Sequence, residues 1–279
     1  MAWSYISPHL DDVAFSCGGF IWEQTNAGEQ VSIWTIFAGD PPQGPLSDFA
    51  EKLHICWRGG RESMSIRRQE DILACARIGA TYQHFDLPDC VYRGARQPSN
   101  ELEGEQEIDT PGERGFFYTS HQSLFGSIHP EEMGLAEQLS QALMELLPRD
   151  TELVCPLALG NHVDHQLTRT AVENLGRQTW YYADYPYVTD HLEQIEALER
   201  SGWRSQLFPV SEEGMEAWKE AVAAHRSQIS SFWSGLEVME KELDDFREFF
   251  GGVALWQRIP MSDRVSLRSR NLHSRRSGK

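Results

Sequence analysis

The amino-acid sequence predicts an α/β fold: a mostly parallel sheet with helices on both faces and helical additions toward the C-terminus. Three observations lead there. Short β-branched or aromatic runs alternate with longer helix-like segments as far as Asp184. Gly28 and Gly79 stand where helices should stop. Strands that alternate with helices pair in parallel through helical crossovers.

Residues 3–7 form a short apolar run ahead of Pro8 and read as a buried strand. A helix is expected over 13–27, closed by Gly28, and a second strand over 31–38 (VSIWTIFA). The Gly- and Pro-rich stretch 39–60 reads as a loop, followed by a helix over 63–77 and a strand over 82–87. Residues 93–130 combine Gly, Pro, Ser and acidic residues with little periodicity. A loop that long in a compact domain is usually functional, so it is expected to border the cleft as a lid. An amphipathic helix over 131–147, a strand over 153–157, a helix over 163–175 and a strand over 179–184 complete the alternation. Beyond Asp190 the chain reads as mostly helical, most clearly over 212–232, with a late strand over 252–259. One domain over 1–260 is expected, with the basic, Ser-rich residues 261–279 as a mobile tail.

Composition narrows the function classes. A chain of 279 residues, 40% hydrophobic and 24% charged, suits one large globular domain. Its net charge of -17 argues against nucleic acid or an anionic bilayer as partner. The 5 cysteines are scattered without a CxxC pair, as expected of reduced thiols in a cytoplasmic protein. The opening MAWSYISPHLDD lacks the pattern of a leader, and no apolar run reaches the roughly 20 residues of a membrane span. No GxGxxG follows a strand, which argues against dinucleotide binding. The oligomeric state is not set by the sequence, and a homo-oligomer stays open.

The chemistry concentrates in two segments, Pro8-His9-Leu10-Asp11-Asp12 and Asn161-His162-Val163-Asp164-His165. Each follows an expected strand and opens an expected helix. In open α/β sheets ligands bind beyond the carboxyl ends of strands, so the two can meet although far apart in sequence. A catalytic zinc takes three protein ligands, often two histidines and a carboxylate, and keeps a position for water. His9 and Asp12 are three apart across a turn and can face one metal, which leaves Asp11 as a base. His162 and His165 are about one helical turn apart: one can bind the metal while the other stands beside it. A lone histidine at a strand end is usually only hydrogen-bonded, and a lone aspartate at a helix start usually caps it. Two such clusters at equivalent places in two βα units are harder to dismiss.

Other candidates have plainer readings. Arg67, Arg68 and Glu70 fit a solvated helix face, Asp86 and Asp89 a turn around Pro88, and Trp218, Phe232 and Trp233 a core. His225 suits helix packing as well as a site. His162-Val163-Asp164 also reads as the His-x-Asp of an Fe(II) oxygenase, although those folds are usually all-β. A catalytically idle sugar- or thiol-conjugate-binding module is a third reading, opposed by the presence of Asp11 and every candidate ligand.

PHLDD followed by Gly18-Gly19, and later HVDH, resembles the LmbE-like (PIG-L) family of zinc N-deacetylases, whose pattern is His-Pro-Asp-Asp-Glu and His-x-Asp-His. Residues 67–79 (RRQEDILACARIG) resemble the family's Arg-x-x-Glu helix, and His225-Arg226-Ser227-Gln228 a late motif. The resemblance implies a Rossmann-like domain that removes an acyl group from an N-acylated amino sugar or related conjugate. It implies a zinc ion on His9, Asp12 and His165, with Asp11 as general base. His162 would serve the tetrahedral intermediate with Asp164 tuning it, and Arg67 and Asp89 would hold the sugar. Leu10 and Val13 depart from the usual Pro and Glu. Gly160 stands where some relatives place an oxyanion-binding tyrosine, so Tyr118, Tyr185 and Tyr187 are candidates for that role.

Overall fold

The computed structural model describes residues 1–95 and 115–258. Seven strands, β1 (Ala2–Ser7), β2 (Gln30–Thr35), β3 (Thr81–His84), β4 (Glu152–Pro156), β5 (Thr179–Tyr182), β6 (Trp203–Phe208) and β7 (Val253–Arg258), form one sheet in the order β3-β2-β1-β4-β5-β7-β6. The first five pair in parallel, while β7 is antiparallel to both β5 and β6. The helices are α1 (Asp12–Asn26), α2 (Asp48–Cys56), α3 (Ser63–Arg77), α4 (His121–Leu124), α5 (Leu135–Leu146), α6 (Val163–Glu173), α7 (Leu192–Arg200), α8 (Glu212–Ala224), α9 (Arg226–Phe232) and α10 (Leu236–Phe250).

β1 is buried from Trp3 through Ser7 and β4 from Leu153 through Pro156, residues of both faces alike. A parallel strand buried on both sides needs helices on both sides. One group is α1, α3 and α8 packed together; another is α5 against α6. The chain runs outward from β1 to β2 and β3, then returns to place β4 on the other side of β1. That reversal opens a crevice beyond the carboxyl ends of β1 and β4. The loops entering α1 and α6 meet there, and a second apolar cluster of Leu10, Ala50, Trp57, Tyr92, Tyr118 and Val163 lies under them.

Several expectations are corrected. The stretch 39–60 is not all loop, because Ser47 accepts a hydrogen bond from the Ala50 N–H and starts α2. The strand over 82–87 ends at His84, and the chain continues through isolated bridges that join Asp86 to Phe37 and Pro88 to Gly39. The helix over 212–232 breaks at His225 into α8 and α9. The chain after Asp190 is less helical than expected, since β6 adds an edge strand whose residues Arg204 to Leu207 are exposed. An edge strand buries too little of its length to show a clear two-residue alternation. The tail 261–279 and the central part of the expected lid, 96–114, lie outside the described residues. Among the described residues no helix is long and apolar enough to cross a membrane.

Gly18 and Gly19 let α1 approach α8 closely. The Trp218 indole is fully buried against them and donates to the carbonyls of Ala14 at 2.9 Å and Phe15 at 3.1 Å. A Cβ on Gly18 would stand 2.5 Å from Trp218 Cδ1, and one on Gly19 would stand 2.8 Å from its Cε3. Alanine is the better helix former by about 1 kcal/mol, yet the rigid ring cannot yield. Gly18→Ala is therefore expected to destabilise the fold by a net ~1–3 kcal/mol, read as a lower urea midpoint with an unchanged slope.

Candidate functional site

The turn from β1 into α1 releases two carboxylates from capping duty. Asp11 precedes the helix but makes no side-chain cap bond. Ser7 Oγ instead accepts the Val13 N–H at 3.3 Å and donates to the His9 carbonyl at 2.5 Å. Asp12 folds back, and its Oδ2 accepts the His9 backbone N–H at 2.8 Å. The same oxygen lies 3.2 Å from His9 Nδ1 and 3.3 Å from His165 Nε2.

Each of those histidines has its other nitrogen committed. His9 Nε2 faces Asp164 Oδ2 at 3.0 Å, an oxygen that also accepts the Cys90 N–H at 3.0 Å. His165 Nδ1 faces Asp184 Oδ1 at 2.6 Å, and Asp184 Oδ2 accepts the Leu159 N–H at 2.9 Å. Carboxylate partners fix the tautomers, leaving His9 Nδ1 and His165 Nε2 as the free nitrogens. His165 Nε2 is buried without a hydrogen-bond partner, a state that a metal would relieve. A tetrahedral metal with bonds of about 2.0–2.1 Å holds its ligand atoms roughly 3.3–3.4 Å apart, close to the separations around Asp12. The residues fit a divalent metal.

Three other donor combinations gather ligand atoms within 4.8 Å of one another: His9 with His162 and His165, Cys90 with His162 and Asp164, and His9 with Asp89 and Asp164. Chemistry separates them. Burial and the nearby Asp164 and Asp89 charges push the Cys90 thiol well up, so it stays protonated. Asp164 is claimed by Arg93, whose guanidinium is 2.7 Å from its Oδ1, and that charge with His9 holds it well below the usual carboxylate range despite burial. His162 Nδ1 accepts the Asp164 backbone N–H at 3.3 Å and caps α6. Burial, then the neighbouring His9 and His165, lower the His162 pKa well below normal, so its free Nε2 carries the single proton of a neutral ring.

Of the eight residues expected at the site, His9, Asp11, Asp12, Arg67, Asp89 and His162 line one cleft of about 570 Å³. Asp164 and His165 lie fully buried beside it. Arg67 is no solvated face: it is 3% exposed, 3.3 Å from Asp11 Oδ1 and 4.0 Å from Asp89 Oδ2, with Trp57 against its guanidinium. Glu70 is buried too, accepting from the Ser227 N–H and hydroxyl. The Asp164 carboxylate lies on His9, and only its backbone N–H reaches His162. His121, Leu124 and Phe125 bring the described part of the expected lid to the cleft.

Three features went unread in the sequence: Asp184 behind His165, Arg93 behind Asp164, and the choice among tyrosines. Asp184 follows β5 and Arg93 follows a strand-end loop, positions that the parallel sheet points at the site; this placement was the available signal. Gly160 adopts φ +79, a left-handed backbone conformation that strains a tyrosine at this position. Tyr187 enters the cleft instead and packs edge-on against His165. Tyr118 donates to Glu132, and Tyr185 is buried against Trp233 and Phe246.

Residues 4–175 match the family described as PIG-L, GlcNAc-PI de-N-acetylase. A 2'-N-acetylparomamine deacetylase of Niallia circulans is 26% identical over 225 residues, covering 73% of this chain and 72% of that protein. A 2'-N-acetylparomamine deacetylase of Streptomyces fradiae is 29% identical over 187 residues, 65% of this chain but only 56% of its own length. The crystal structure of the zinc-inhibited form of a teicoplanin deacetylase superposes with a TM-score of 0.65 at 23% identity, covering 92% of this chain and 96% of the other. That likeness supports the fold.

Two outcomes follow from the geometry. The Asp12 charge and the hydrogen-bonded Asp184 hold a proton on His165 up to about 9 against the opposing effect of burial; Asp12 and Asp164 likewise raise His9. A metal bound to both rings would have to displace both protons. Titrating chelated protein with a divalent metal at neutral pH should release about two protons per ion, with affinity rising with pH until His165 is neutral. Release of none, read with a pH indicator, would place the metal elsewhere. Asp184→Asn should weaken metal affinity by about 10–100-fold while α6 stays folded.

Proposed function

Because the chain belongs to the PIG-L family of de-N-acetylases, we propose that it hydrolyses the amide of an N-acylated amino sugar, with a zinc ion on His9, Asp12 and His165. The observation that carries this reading is the Asp12 oxygen shared between two histidines whose other nitrogens are taken, beside an Asp11 held by Arg67. Zinc in that position would supply a Lewis acid, lowering the pKa of a bound water and polarising the acyl carbonyl.

The chain's own residues account for the proton traffic. Asp11 caps nothing and is paired with Arg67, so it is the carboxylate available to take the proton of the attacking water. The Arg67 guanidinium donates to it and orients it. His162, neutral with its proton on Nε2, donates to the oxyanion that forms at the acyl carbon. As the C–N bond breaks, Asp11 returns its proton to the amine nitrogen, which would otherwise leave as a poor anion. A carboxylic acid and a free amine are the products. Trp57, Phe125, Tyr187 and Phe232 line the cleft with aromatic surface suited to a sugar. The acetylated sugar substrates named for the curated relatives have this chemistry. The Fe(II) oxygenase reading finds no support, because Asp164 is committed to Arg93, Cys90 and His9.

The test is amine release from N-acetylated amino-sugar conjugates by zinc-loaded and chelated protein side by side; activity that survives chelation would sink the reading. Asp11→Asn keeps volume but cannot take a proton at neutral pH, so kcat should fall ~10²–10⁴-fold with the metal retained. Asp12→Asn should lose metal, and excess zinc should restore part of its activity. Zinc content and turnover measured on both variants decide the assignment, and loss of metal in the Asp11 variant alone would reverse the two roles.

A further inference from the structure

We propose that His225 is a positioning residue for the base: together with Arg67 Nε it holds one buried water, which keeps the Arg67 guanidinium aimed at Asp11. The turnover part of the test rests on the deacetylase reading, in which Asp11 is the base, whereas the water site stands without it.

His225 is a buried histidine that the proton traffic leaves unused. It is 1% exposed, and neither its Nδ1 nor its Nε2 has a protein partner among the described residues. Its backbone is fully employed where α8 gives way to α9: the N–H donates to Val222, and the carbonyl accepts from Gln228 and Ile229. The Phe15 ring stands nearly perpendicular to the imidazole at 5.5 Å. A phenylalanine would serve packing as well, without the cost of burying two polar atoms.

A second unpaired group lies on the neighbouring helix. Arg67 places Nη2 on Asp11 and Nη1 near Asp89, but its Nε is buried and has no partner among the described residues. Glu70, one turn beyond Arg67 on the same face of α3, accepts the Ser227 N–H at 2.9 Å and the Ser227 hydroxyl at 2.6 Å. Those bonds seat the turn at His225 on the Arg67 side of α3, which packs against both α8 and α9. Burial lowers the His225 pKa and keeps the ring neutral; of the charges that oppose this, Asp11 acts most strongly, ahead of Asp71 and Glu70.

The chemistry of the two unpaired groups names the occupant. Arg67 Nε–H can only donate, and a neutral imidazole offers one donor and one acceptor. Water accepts from the guanidinium, donates to the free imidazole nitrogen and keeps a second proton for a carboxylate, the three bonds usual for a buried water. Asp11 and Glu70 exclude an anion there, and Arg67 excludes a metal cation. Held at Nε, the guanidinium presents Nη2 to Asp11 instead of swinging toward Asp89. A base displaced by even a fraction of an ångström loses its alignment with the attacking water.

A crystal structure of the protein should show an ordered water within about 3.2 Å of both a His225 ring nitrogen and Arg67 Nε. Clear density without one overturns the proposal, whatever the substrate proves to be. His225→Phe keeps the aromatic packing and removes both nitrogens, while His225→Gln restores a side chain able to hold the water. With p-nitrophenyl N-acetylglucosaminide as probe, kcat should fall about tenfold in the phenylalanine variant, with KM and zinc content unchanged, and the glutamine variant should recover most of it. A role in packing alone predicts the reverse order, with phenylalanine at wild-type turnover and glutamine below it, and that result overturns the proposal. Should the phenylalanine variant fail to fold, His225→Leu takes its place. Should the probe not be hydrolysed at all, the deacetylase reading loses support, and the water, present in the wild type and lost in the phenylalanine variant, still decides the role of His225.

Discussion

The site depends on burying carboxylates, which is costly unless each one is paired or hydrogen-bonded. Asp12, Asp164 and Asp184 are nearly or fully inaccessible and lie within one side chain of His9 or His165. Each is answered by the local backbone: the His9 N–H for Asp12, the Cys90 N–H for Asp164, the Leu159 N–H for Asp184. Those amides come from three different strand-end loops. The loops meet because β4 lies next to β1 where the order of the sheet reverses. The fold thus supplies the geometry, and the carboxylates hold the loops in register.

That arrangement makes protons and a metal interchangeable. Among the described residues, Arg67 meets Asp11 and Asp89 and Arg93 meets Asp164, while Asp12 and Asp184 face histidines, so the cluster favours additional positive charge. Two imidazoliums carry the same charge as one dication between neutral histidines. Asp164 and Asp184 serve both states, since each holds the ring nitrogen that does not face Asp12. Arg93 extends this outward. It spans Asp164 and Glu132 while packing on the Phe37 ring, and Tyr118 donates to the same glutamate. Orientation of His9 therefore reaches back through Asp164 and Arg93 to the segment just after the expected lid.

Much of the fold was legible because its signals are local. The alternation of apolar runs with helices closed by glycine lies in the sequence itself, and so does the spacing within HLDD and HVDH. α2 was missed because the Gly and Pro before it and Gly59-Gly60 after it outweighed the Ser47 cap and the apolar spacing of Phe49, Ala50 and Leu53. β6 was missed because an edge strand with four consecutive exposed residues carries no alternation. The break at His225 has no composition signal at all, since neither Gly nor Pro marks it.

The functional residues divide along the same line. His9, Asp11, Asp12, His162, Asp164 and His165 sit in short motifs whose spacing reveals them. Asp184, Arg93 and Tyr187 acquire meaning only when distant segments converge. Asp184 is one of 42 acidic residues, and nothing near it in sequence sets it apart until β5 is laid beside β4. Tyr187 competes with two other tyrosines until Gly160, at a φ that disfavours any side chain, leaves the space it enters. Arg67 shows the intermediate case. Its place on a helix suggested a solvated face, and only the approach of Asp11 and Asp89 from two loops explains why a guanidinium is buried there. The reacting groups are written locally, and the groups that hold them in their working state are written in the topology.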